Sequence, residues 1–212
     1  MKEKELLMRG KFIVFEGIDG CGKSTQVARL AERLRKEGHQ VALTAEPTEL
    51  PSGKLLRQAL SGKLPKSECE MAVLFVTDRI AHNISEGGIR SLLDAGVTVI
   101  CDRYYYSTLA YQGLSTDYGW VKSMNLSCPE ITRPDLCIYL DLLPEESLRR
   151  IAAGRESVEI YENLETLTGV RNRFLEVMED LRAEGEQIAF VDASDSRKEI
   201  AERIFEVVCG IF

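Results

Sequence analysis

The run Gly17-Ile18-Asp19-Gly20-Cys21-Gly22-Lys23-Ser24-Thr25 limits what this chain can fold into more than any other stretch. It fits G-x-x-x-x-G-K-[ST], the pattern of a phosphate-cradling loop, which works only between a strand and a helix. Glycines let the backbone curl around a phosphate chain and turn several N–H groups inward. The following helix adds its first amides and its dipole, both of which favour an anion. Lys23 brings a mobile positive charge to the outer phosphates, and Ser24 offers a hydroxyl to Mg2+, a hard ion that prefers oxygen. The flanks agree with this. Residues 11–16 read as a buried strand, and Gln26–Glu37 as a helix with Val27, Leu30, Ala31 and Leu34 on one face. Gly38 ends it. The glycine spacing excludes the dinucleotide fingerprint G-x-G-x-x-G.

Five short apolar runs read as strands: Phe12–Gly17, Val41–Glu46, Val97–Asp102, Leu136–Asp141 and Ile188–Asp192. Helical patterns separate them, which implies an α/β fold with a parallel sheet covered on both faces. Ligands of such sheets sit at the carboxyl ends of the strands. Asp19, Glu46, Asp102 and Asp141 are therefore expected to gather near the phosphate loop, unless Asp141 and Asp192 only cap the turns that follow. Residues 144–182 form a mostly helical stretch interrupted near Ala153-Gly154-Arg155, either a flap over the site or a plain surface turn. Ser196–Val208 reads as an amphipathic helix closing the fold.

The 212 residues are expected to form one domain with room for a substantial core. A net charge of -7 argues against a nucleic-acid coat or a membrane-surface binder. No apolar run approaches the ~20 residues of a membrane span, and the N-terminal residues lack the apolar core of a secretion signal. A cytoplasmic protein is the expectation. The six cysteines form no C-x-x-C pair, so a zinc site or a disulfide framework is not expected. Cys21 sits in an anion-attracting loop beside Lys23. Either its thiolate is favoured there, or it is a small residue that fits.

No Asn-Lys-x-Asp run is present to read guanine. A small kinase acting on a small acceptor, or a small ATP-driven switch, remains. The second strong signal is Thr98-Val99-Ile100-Cys101-Asp102-Arg103-Tyr104, where a strand end delivers an acid and an arginine side by side. Asp102 could hold Mg2+ through water, and Arg103 could grip a phosphate.

From FEGIDGCGKST through AEPT, VLFVTDR, DRYYYSTLAYQG and RPDLCIYLD to VDAS, the chain resembles the thymidylate kinases over nearly its whole length. The order and spacing of these segments are more specific than any one of them. The resemblance implies the three-layer P-loop NTPase fold, with a five-stranded parallel sheet flanked by helices. It implies a single domain spanning residues 1–212 with a flap near 150–162, and a homodimer packed through helices, with apolar surface on residues 71–93. The implied reaction moves the γ-phosphoryl of ATP to dTMP, giving dTDP and ADP on the way to dTTP, with Mg2+.

Residue by residue, the resemblance places ATP on Gly17, Ile18, Asp19, Gly20, Cys21, Gly22, Lys23, Ser24 and Thr25, with the metal at Ser24 and Asp102. Arg149 or Arg150 would cover the adenine face. Phe75 and Arg79, four apart on a helix, would stack on the thymine and bond a base carbonyl. Glu46 and Pro47 belong to the same acceptor site. Thr108, Tyr111 and Gln112 share one face toward base and sugar, with the bulk of Tyr111 against a 2′-hydroxyl. Arg57 and Arg103 would reach the acceptor phosphate, and Asp19 the sugar or the metal-bound phosphates. Relatives often carry an arginine before the Glu-Pro pair, where this chain has Ala45. Some carry one after the loop aspartate, where it has Gly20. The second departure points to a catalytic arginine from the flap, Arg155, with Arg150 the alternative.

The acceptor chemistry sets the demands. A sugar hydroxyl wants a carboxylate base. A monophosphate, with a second ionisation near pH 6, is already largely anionic at neutral pH. Its obstacle is repulsion between two anions, which cations must neutralise. Lys23, Arg57, Arg103, Mg2+ and a flap arginine form the expected shield.

Overall fold

The structure, a computed structural model, describes residues 9–154 and 163–212. Arg155 and most of the expected flap lie outside the described residues. The elements run β1 (Phe12–Glu16), α1 (Lys23–Lys36), β2 (Val41–Ala45), α2 (Pro51–Leu60), α3 (Glu68–Ile84), α4 (Ile89–Asp94) and β3 (Thr98–Asp102). They continue with α5 (Tyr105–Ser115), α6 (Tyr118–Leu126), β4 (Leu136–Asp141), α7 (Pro144–Gly154), α8 (Leu164–Ala183), β5 (Ile188–Asp192) and α9 (Arg197–Cys209).

The sheet has five parallel strands in the order β2-β3-β1-β4-β5. Every residue of β1 is buried, as a central strand covered on both faces must be. Register puts Phe15 opposite Asp102 and Ala45 opposite Asp102. The carboxyl ends of β1, β2 and β3 therefore share one edge, and the segments leaving them, residues 17–22, 46–50 and 103–104, start together.

Each expected strand is present with ends shifted by at most one residue. β1 stops at Glu16 because Gly17, at φ 139°, leaves the extended region. The first helix starts at Lys23, three residues before the expected Gln26. The physical reason is the motif itself: Gly22 is a left-handed N-cap, so Lys23, Ser24 and Thr25 are the first helical turn, whose amides have no partner within the helix. The expected face of Val27, Leu30, Ala31 and Leu34 is buried. α9 is capped by Ser196 in a reciprocal capping box with Glu199. Among the described residues no helix is long and apolar enough to cross a membrane.

Candidate active site

The phosphate loop is fixed by positions where a side chain cannot fit. A Cβ on Gly17 would stand 2.5 Å from the Leu140 carbonyl oxygen, and one on Gly20 2.8 Å from that of Ser147. Ser147, in the first turn of α7, donates its hydroxyl hydrogen bond to the carbonyl oxygen of Asp19. Lys23 folds back over the loop, its Nζ donating to the carbonyls of Gly17 at 2.9 Å and Ile18 at 3.1 Å. No acidic side chain occupies the first turn of α1, so the positive end of its dipole stays uncompensated.

Arg103 is the one non-glycine residue with a left-handed backbone among those described, at φ 68°, a conformation that costs energy unless its surroundings enforce it. Two contacts enforce it. Its N–H donates to Phe15 O at 2.9 Å, and Glu16 holds the helix that follows. Glu16, fully buried, accepts from the amides of Tyr104 at 2.7 Å and Ser107 at 3.1 Å and from the Ser107 hydroxyl at 2.7 Å. Burial pushes the Glu16 carboxyl above its usual range, against the pull of Arg103 and of these donors. The turn aims the Arg103 guanidinium at Asp19 Oδ1, 2.6 Å away, and at Ser107 Oγ, 3.0 Å away. Asp19 Oδ2 also accepts from the Tyr111 hydroxyl at 3.4 Å.

A cleft of about 960 Å³ opens above these groups. Residues 19–26 form its floor, with Glu46, Asp102 and Arg103 on one wall and Arg150, Ile151 and residues 195–197 on the other. Arg150 donates to Glu146 at 2.9 Å and to the Ala193 carbonyl at 3.0 Å. Arg149 points away, three-quarters exposed, so of these two arginines Arg150 is the one on the cleft.

Of the residues matched to the acceptor, Asp19, Glu46 and Arg103 line the cleft, whereas Arg57, Phe75, Arg79, Thr108, Tyr111 and Gln112 are not among its lining residues. Arg79 is buried. Its Nε and Nη2 donate to Glu46 Oε2 at 2.9 and 2.6 Å, its Nη1 to Asn125, and its Nη2 also to Thr108 Oγ1 at 3.1 Å. Gln112, one turn beyond Thr108, is buried with its Oε1 unpartnered. Phe75 is half-buried against a small apolar group around Leu56 and Met71, joining α2 to α3. Arg57 is not drawn into the cleft: it donates to the Thr48 carbonyl and pairs with Glu49. The Glu46–Pro47 peptide bond is cis.

One expectation needs correction. Asp141 does not join the cleft, because Arg171 grips both its oxygens, at 2.7 and 2.8 Å. Of the two readings of Cys21, the structure favours the second. Burial pushes its thiol above the ordinary value, and the nearby Lys23 only partly opposes this. It is a small side chain that fits. Sequence reasoning also missed several contributors. Glu16 could have been noticed as one more acid at a strand end, and residues 195–197 as the continuation of the VDAS segment. Asp78 lies inside the segment that ends at Arg79 and could have been noticed there, but His82 and Asn125 carry no local signal, since their partners are distant in sequence.

A cradle for an anion chain faces two cations across one cleft, with a polar wall of buried donors beside it. Comparison with known proteins agrees with that arrangement. The family model described as thymidylate kinase matches residues 15–204. A probable thymidylate kinase from Pyrococcus abyssi is 40% identical over 95% of this chain and 97% of its own length. One from Pyrococcus horikoshii is 43% identical over 81% of this chain and 84% of its own. A thymidylate kinase from Desulfotalea psychrophila is 40% identical over 78% and 80% respectively. The chain belongs to the thymidylate kinase family.

Proposed function

We propose that the chain transfers the γ-phosphoryl of ATP to dTMP, giving dTDP and ADP, in the cleft above β1, β2 and β3. One observation carries the choice of a phosphate over a hydroxyl acceptor. Lys23 and Arg103 border one cleft, whereas of the two carboxylates that could serve as base, Glu46 is already bound by Arg79 and His82 and Asp102 is the proposed metal ligand. A hydroxyl acceptor needs a free base. A monophosphate needs cations instead.

On this reading the ATP phosphates lie along residues 17–25 and Arg150 covers the adenine. Arg103 receives the acceptor phosphate, joined by Arg57 once it leaves Glu49. Arg79 and Thr108 face the thymine edge, and the unpartnered Gln112 Oε1 is available to accept from the base N3–H. Phe75 offers a ring face to the base, and Tyr111 stands against the sugar. The whole chain acts as one catalytic domain, to which a flap near 150–162 adds Arg155.

The oxygen donors Ser24 and Asp102, both on the cleft, suit Mg2+. Among the described residues no cluster of three His, Cys, Asp or Glu could hold a metal alone. That donor set fits an ion that arrives on a nucleotide with much of its water. Bound there, Mg2+ supplies neutralisation of phosphate charge. The exposed Val73 and Ile84 on α3 support a homodimer packed through that helix, and membership of the thymidylate kinase family supports a cytoplasmic location.

A coupled assay with ATP and a panel of dTMP, dUMP, UMP and thymidine tests the proposal. The expected result is fastest turnover with dTMP and little ATP hydrolysis without acceptor. Preference for thymidine would replace it with a hydroxyl kinase. ATP binding without diphosphate formation from any nucleotide would leave an ATP-gated switch.

A further inference from the structure

We propose that His82 is a positioning residue for the acceptor base, acting through Glu46 on Arg79. The inference rests on the reading of Arg79 as the donor to the thymine.

α3 buries a run that an ordinary core helix would fill with apolar groups: Asp78, Arg79, His82 and Asn83. Buried polar groups are costly unless bonded, so each has partners to account for. Asp78 accepts from the Thr48 amide at 2.8 Å and from the Thr48 and Ser52 hydroxyls at 2.6 Å each, which ties down the loop into α2. Asn83 donates to the Arg79 carbonyl and to the Tyr104 hydroxyl, both at 2.8 Å, and accepts from the Thr132 amide at 3.1 Å. These bonds hold backbone segments. Those of His82 do something different.

His82 Nδ1 lies 3.0 Å from Glu46 Oε1, and its Nε2 lies 2.6 Å from Thr44 Oγ1. A carboxylate can only accept, so Nδ1 carries a hydrogen and donates it to Glu46, while Nε2 shares a second hydrogen bond with the Thr44 hydroxyl.

The need for this contact lies in how Arg79 grips Glu46. Both N–H groups converge on one oxygen, Oε2. A fork across two oxygens would fix the carboxylate plane, but a grip on one leaves the other free to swing. His82 takes that other oxygen. With the carboxylate plane fixed from both sides, the guanidinium is held with Nη1 toward Asn125 and Nη2 toward Thr108. The Tyr104 ring lies 5.1 Å from its central carbon. Loss of the His82 bond lets Glu46 pivot, and Arg79 with it.

Two conservative replacements separate this role from mere core filling. In Asn the amide nitrogen falls near Nδ1, so His82→Asn keeps a donor for Glu46. In Gln the amide falls near Nε2, so His82→Gln keeps a partner for Thr44 and loses Glu46. Steady-state kinetics are measured for both, with thermal midpoints alongside. We expect His82→Gln to raise KM for dTMP roughly tenfold, the worth of one hydrogen bond to a charged group, with kcat and KM for ATP within about twofold. His82→Asn should recover KM to within about threefold of the parent. An unchanged KM for dTMP in His82→Gln, or equal losses in the two variants, would overturn the inference. If His82→Gln does not fold, Thr44→Val removes only the hydroxyl behind the ring. A rise in KM for dTMP then supports the inference, and no rise overturns it. Arg79→Lys keeps the readings apart. If it raises KM for dTMP while the His82 and Thr44 variants do not, the His82 inference alone fails. If it leaves KM unmoved, the base-reading role of Arg79 fails and takes the inference with it.

Discussion

Arg79 Nη2 stands 2.6 Å from Glu46 Oε2, and the two side chains expose only 1% and 2% of their surface. A buried ion pair of this kind gains little over an apolar pair, yet breaking it leaves one charge uncompensated. Glu46→Ala strands Arg79 with the neutral partners Asn125 and Thr108. The expected cost is about 3–5 kcal/mol of folding stability, measured by urea denaturation. A loss below about 1 kcal/mol would mean that water reaches the guanidinium and the pair is not a closed unit.

Lys23 is buried, with its Nζ on two loop carbonyls. This places its charge over the loop where outer phosphates would sit, so its removal should act on the transition state. Lys23→Met keeps the apolar stem and deletes the charge. We expect kcat to fall by roughly 10³-fold or more, by comparison with other cations that stabilise phosphoryl transfer. Circular dichroism should be unchanged. A fall of less than about tenfold would remove Lys23 from that role.

The cysteines should separate by exposure. Cys69 and Cys209 are exposed, while Cys21 is buried with its thiol pushed up by burial. Only the thiolate reacts with iodoacetamide. Peptide mapping during alkylation should find Cys69 and Cys209 modified first, with phosphotransfer retained at that stage. Early labelling of Cys21 in step with lost activity would contradict the assignment.

How much of this could be read from the chain follows from distance along it. β1 and the glycines after it are contiguous, so the loop, its lysine and the helix behind it were legible as one segment. The strands were legible because a parallel sheet buries continuous apolar runs between turns. The wall beside the cleft was not. Arg79 meets Glu46 across 33 residues and Asn125 across 46, and neither His82 nor Asn125 belongs to a motif. Local pattern also misjudged Asp141. A strand-end acid looks the same whether it faces a ligand or, as here, an arginine one helix away. Arg57 shows a further limit. Its position was marked by the resemblance, but its pairing with Glu49 is a choice among nearby charges that spacing does not encode.

Asp180 provides a test of sign in pH dependence. Its Oδ2 accepts from Lys122 Nζ at 2.7 Å and from the Tyr118 hydroxyl at 2.6 Å, joining α8 to α6. The Lys122 bond, then the Tyr118 bond, hold its carboxyl below the usual value. A carboxyl lowered by folding adds stability above the unfolded value of about 3.9, and that contribution is lost as pH falls through the folded value. The carboxylate is 41% exposed, so the contribution should be no more than a few tenths of a kcal/mol. Urea unfolding of the parent and of Asp180→Asn, followed from neutral pH downward, should show a small gap that closes on acidification below about pH 4. A gap that widens on acidification would reverse the sign and show that Asp180 is not held ionised by its two donors.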